Sequence, residues 1–173
     1  MSRHQSRGLG NAEAQGAISP PPDVSLASAH AEAARQHAAA ADAHALAAEL
    51  HFETVVTNEC FDQTSKQDAV GASVNALLQT GTSAEASELA GVDVVIMRDA
   101  LREATEASQL AEGGEDPRKA HVQAAKYHVA LAEKHARSVR AIAPRSQEAQ
   151  EAAFDADAAV ARARDAEDAE RAA

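Results

Sequence analysis

Apolar residues recur along this chain at spacings of three and four, and no long segment alternates apolar with polar residues as a strand would. The pattern predicts an all-α fold, either an antiparallel bundle or extended coiled-coil hairpins, of four to five helices. Its punctuation places them at about 24–57, 65–79, 83–112, 117–142 and 146–170. Asp23 or Ser25 offers an N-cap for the first, and 58–65 reads as a break. Thr80-Gly81 reads as a turn, with Thr82 and Glu85 at capping-box spacing to open the third helix. That helix has Leu89, Ala90, Ile96, Met97, Ala100, Leu101 and Ala104 as its apolar positions, and Gly113-Gly114 ends it. Asp116 as N-cap and Pro117 at the first helical position start the fourth, and Pro144 separates it from the fifth. Residues 1–22, which end in Ser19-Pro20-Pro21-Pro22, read as a disordered tail ahead of a helical domain over 23–173.

The apolar positions are unusually small. Leu, Ile, Val and Phe together make up 28 of 173 residues, and most of the remaining hydrophobic fraction is alanine. In the last helix, positions 149, 152, 156, 159, 163 and 166 are all alanine, a three-four seam that lets helix axes approach closely. Alanine is the best helix former but buries little area, so helices form readily while a deep core does not. With a net charge of -11, a lone chain is expected to be marginal. Self-association or a helical protein partner would supply the missing burial.

Two of the helices carry a further pattern. His30, His37, His44 and His51 stand seven apart, and so do His121, His128 and His135. Small residues follow at the third and fourth positions, as in His37 with Ala40-Ala41 and His121 with Ala124-Ala125. At 100° per residue those positions flank each imidazole, which puts the rows in the middle of the apolar stripe. Arg35, Asp42, Glu49, Lys126, Glu133 and Arg140 fall on the opposite faces.

Such rows have three readings. As a packing seam, opposed imidazoles hydrogen-bond to each other or to backbone within or between subunits. As a metal site for zinc, nickel or copper, two rows would have to face each other, because ligands seven apart lie roughly 10.5 Å apart along one helix. As a pH switch, rings buried neutral would break the seam on protonation, and charging all eight histidines would take the net charge from -11 to about -3. No Glu stands three residues before any histidine, so the di-iron bundle spacing is missing, as is the H-E-x-x-H motif.

Composition narrows the partners. Sixteen basic residues against 27 acidic, with no Trp and one Tyr, argue against a nucleic-acid surface. No stretch has the apolar length of a membrane span. The single cysteine, Cys60, is expected to be buried and inert and suits a cytoplasmic setting. The Ser/Thr cluster from Thr64 to Ser87 is expected to supply caps and turns. The sequence thus suggests a non-enzymatic structural or assembly protein without a cofactor, in which His30, His37, His44, His51, His121, His128 and His135 pair helices. A transition-metal-binding bundle built on the same histidines is the alternative, and a scaffolding or virion-associated role a second one.

Overall fold

The computed structural model describes residues 22–56, 63–91 and 94–172. Over these described residues the fold is an all-α bundle of five helices: α1 (Pro22–Val56), α2 (Gln63–Ala90), α3 (Val94–Glu112), α4 (Arg118–Ile142) and α5 (Gln147–Ala172). Helices α1 and α4 form the central pair. Helix α5 packs against both on one side, while α2 packs on α1, α3 packs on α4, and α2 and α3 touch each other on the other side.

Two glycines end helices in the left-handed region, where a side chain would be strained. Gly91, at φ 75°, closes α2, and its N–H donates to the Glu88 carbonyl at 3.1 Å. Gly114, at φ 76°, follows α3, where Glu115 N donates to the Leu110 carbonyl at 2.9 Å. Ser146 precedes α5 and accepts from Ala149 N at 3.1 Å, the bond of an N-cap.

Several expectations are corrected. Thr80-Gly81 is not a turn. Helix α2 runs through it without interruption, and the second and third helices meet instead at Gly91. A glycine inside a helix costs only about 1 kcal/mol relative to alanine, less than tertiary contacts return. Thr82 lies inside α2, where its hydroxyl reaches the Leu78 carbonyl at 3.3 Å, so it opens no helix. Leu89 and Leu101 point outward, at 82% and 44% exposure, while Ala90, Ala100 and Ala104 are buried. Helix α1 begins at Pro22, ahead of both expected N-caps. Helix α4 begins one residue after Pro117, and Asp116 accepts from Arg118 N at 3.0 Å. The expected tail, His4, Cys60 and the core of the 58–65 break lie outside the described residues, apart from Pro22.

The interior is made of small residues. Ala149, Ala152, Ala156, Ala159, Ala163 and Ala166 are all buried along α5. The first four join Ala34, Ala38 and Ala41 of α1 with Ala132, Ala136 and Val139 of α4 in one cluster. Leu131 is the largest fully buried apolar side chain, and five imidazoles are buried as completely. Larger apolar groups sit outside, including Leu78 at 65% and Phe154 at 73% exposure. No described helix is long and apolar enough to cross a membrane.

Candidate functional site: a ladder of imidazoles and hydroxyls

The two histidine rows face each other across the α1–α4 pair. Because the helices run antiparallel, rows with the same period meet layer by layer, and Nδ1 meets Nδ1 in each layer. His30 faces His135 at 3.0 Å, His37 faces His128 at 3.0 Å, and His44 faces His121 at 2.9 Å. His51 comes level with the segment ahead of Arg118, where α4 has not begun, and it stacks on His121 instead, with centroids 5.9 Å apart. Successive layers are bridged by near-parallel rings: His37 on His135 and His44 on His128, both at 5.5 Å.

Each remaining Nε2 that the rows turn toward α2 meets a hydroxyl. Ser73 lies 2.9 Å from His51 and 2.8 Å from His121. Thr80 lies 3.0 Å from His44 and 2.9 Å from His128. Ser87 lies 2.5 Å from His37 and 2.9 Å from His135. These hydroxyls form a third row with the same period of seven, on a helix antiparallel to α1 and parallel to α4. Sequence reasoning missed them. Their spacing was the available signal, hidden by reading Thr80-Gly81 as a turn and the Ser/Thr cluster as local capping.

The surroundings keep the rings uncharged. His37, His44, His121, His128 and His135 have no exposed surface, and His30 and His51 are 7% exposed. Loss of hydration is the main cause that lowers every one of their pKa values. It takes His121 and His128 down to about 3 and His135 to about 4. His37 falls to about 2, with repulsion from His128 and His135 adding to burial. At His51, burial is partly offset by the Ala69 backbone and the Asp116 carboxylate. Neutral imidazole has one N–H and one acceptor nitrogen, which suits a ring held between two hydrogen-bonding neighbours.

The outer faces carry ordinary surface chemistry. Arg162 of α5 pairs with Asp42 of α1, and Lys126 of α4 with Glu167 of α5 at 3.1 Å. These half-exposed ion pairs set the α5 register weakly. Among the described residues, no group of three or more His, Cys, Asp or Glu side chains is arranged to hold a metal ion. No protein family, curated protein or solved structure matches the chain.

Proposed function

We propose that the chain is a non-enzymatic structural protein whose histidine rows pair and align helices, and whose assembly is acid-labile. One observation carries this reading: three histidine pairs meet in register, and the α2-facing nitrogens of six rings are taken by three hydroxyls of a third helix. A slip of α1 against α4 by a single residue would turn every imidazole away from its partner and strand polar nitrogens in an alanine-lined interior, at about 1–3 kcal/mol each. A ladder of this kind specifies one alignment where alanine alone would accept several. The same rings hold the fold together only while neutral, which suits a near-neutral cytoplasm.

Surface composition supports a homo-oligomer or a helical partner. Val74, Leu78 and Leu89 project from one stripe of α2 at 38%, 65% and 82% exposure. The alternative reading, a zinc, nickel or copper bundle, uses the same rings. Thermal melts of metal-stripped protein by far-UV circular dichroism separate the two. The packing reading expects a cooperative melt at pH 7.5 without metal, little change on adding zinc, nickel or copper, and loss of the fold near pH 5.5. A chain that is unfolded without metal and folds on adding one would replace the packing reading with the metal one.

A further inference from the structure

The contacts of the ladder join end to end. From His30 they pass to His135, Ser87, His37, His128, Thr80, His44, His121, Ser73 and His51. Ten side chains are thus linked by nine contacts, every one of them between 2.5 and 3.0 Å. The path advances from residue 30 to residue 51 of α1, roughly 30 Å at 1.5 Å per residue. Its two ends, His30 and His51, are the only rings of the seven with exposed surface. An open cleft lined by His51, Thr54, Lys66, Glu115 and Asp116 leads to one of them.

Proton counting restricts what this path can be. A neutral imidazole has one N–H, and a hydroxyl has one O–H. Each of the five interior rings has two contacts and one proton, so it must donate in one and accept in the other, and a hydroxyl that donates along the path does the same. If one ring donates toward His51, its neighbour's proton is forced to the far side, and so on to the end. Two arrangements in which every hydroxyl donates along the path therefore satisfy all nine contacts with every ring neutral. In the first, the α1 rings carry hydrogen on Nδ1 and the α4 rings on Nε2. In the second, every assignment is reversed.

A competing arrangement has the hydroxyls donate along their own helix. Ser73 can reach the Ala69 carbonyl at 3.2 Å and Thr80 the Ala76 carbonyl at 3.0 Å. If both did so, His44 and His121 would carry hydrogen on Nε2, and their facing Nδ1 lone pairs would meet at 2.9 Å with no proton between them. Those carbonyls already serve the helix ladder, whereas a buried pair of bare nitrogens has no other donor. One hydroxyl alone turned to its carbonyl leaves no contact empty but reverses the order on its two sides, whereas directional order keeps all three hydroxyls in the path.

We propose that the seven imidazoles and three hydroxyls act as one proton wire, with two ordered states and the capacity to shuttle a single proton between its ends. A proton taken from water by Nε2 of His30 lets His30 pass its Nδ1 proton to His135. Each group then hands on its own proton, and Nδ1 of His51 releases one to water. One proton enters and one leaves, no ring stays charged, and the order is inverted. The next transfer runs in the opposite direction, because the stacked rings are held against rotation. The fixed charges that bias the two states are Asp116 and Arg118 at His51, and Lys134 at His135. The inference rests on the ladder's geometry and not on its packing role, which survives if the order is absent.

The test is multiple-bond 15N–1H correlation NMR of the full chain, labelled with 15N-histidine, at pH 7.5. The spectra read which nitrogen of each ring bears hydrogen. The wire predicts one Nδ1–H to Nε2–H ratio shared by His30, His37, His44 and His51, and the inverse ratio at His121, His128 and His135. Thr80→Val cuts the wire, so His30 and His37, with the inverse at His128 and His135, then follow one ratio, and His44 and His51, with the inverse at His121, follow another. Thr80→Ser restores a single ratio. Seven rings with the same tautomer, or ratios unrelated between the helices, would overturn the wire on the wild-type spectrum alone, even if the valine variant does not fold. A single shared ratio in folded Thr80→Val would overturn it as well.

Discussion

The α1–α4 pair is buried on both sides by different chemistry. Toward α5 the interface is nearly all alanine, with Ala34, Ala38, Ala132, Ala136, Ala152 and Ala156 packed together. Toward α2 it is polar, with imidazoles and hydroxyls bonded in layers. The alanine side gains from close backbone approach and tolerates no added volume, but small apolar groups discriminate poorly between registers. The ladder side gains little net energy per hydrogen bond, yet every misalignment leaves several buried nitrogens unpaired. One side brings the helices together. On the proposed reading, the other fixes how they meet.

Substitutions on the two sides should therefore fail differently. The largest loss is expected for His128→Ala, which leaves a cavity and strips a partner from His37 and Thr80. It should cost about 3–5 kcal/mol in urea unfolding at pH 7.5. Thr80→Val keeps the shape but removes the only hydroxyl between His44 and His128, for about 2–4 kcal/mol by the same measurement. On the alanine side, Ala156→Leu should cost about 1–3 kcal/mol through overpacking, and this loss should not change between pH 7.5 and 6.5. A pH-dependent loss there would mean that the two interfaces are not separable.

The smallest effect is a gain. Gly81 lies exposed inside α2, with open space where a Cβ would stand. Gly81→Ala should raise stability by about 0.5–1 kcal/mol, seen as a higher melting temperature with the ladder intact. A loss instead would indicate that α2 bends at Thr80-Gly81 after all.

The same comparison explains what the sequence made legible. The alanine seam of α5 can be read directly, since six alanines at three-four spacing have one way to face inward, and all six are buried. The histidine rows could be seen as rows, but their pairing depended on α1 and α4 being antiparallel neighbours, which one-dimensional spacing does not encode. The hydroxyl row was harder still. Ser and Thr are common at caps and turns, so local propensity and tertiary role point to different structures for Ser73, Thr80 and Ser87. Thr80-Gly81 was misread for that reason: a helix-breaking signal lost to contacts with His44 and His128 that lie 36 and 48 residues away. The outward placement of Leu89 and Leu101 went against hydrophobic patterning because alanine and imidazole already fill the interior.

Acid probes whether the buried rings are neutral members of a bonded ladder. Their pKa values are lowered in the folded chain, to about 3 at His121 and His128, whereas an unfolded histidine titrates near 6.5. The unfolded state therefore takes up protons first. Stability is greatest above about pH 6.5 and falls as the pH drops toward the folded values. At pH 5.5 each fully buried ring contributes a loss of about 1 kcal/mol, so the five together reach the scale of the whole stability of a small domain, about 5–15 kcal/mol. The measurement is the unfolding free energy from urea titrations at closely spaced pH values from 7.5 to 5.5. Neutral buried rings give a plateau above pH 7 and, below pH 6, a slope that corresponds to uptake of about five protons on unfolding. A slope of one proton or fewer would mean that the histidines are already charged or solvated in the folded chain, and the ladder would not be what holds these helices in register.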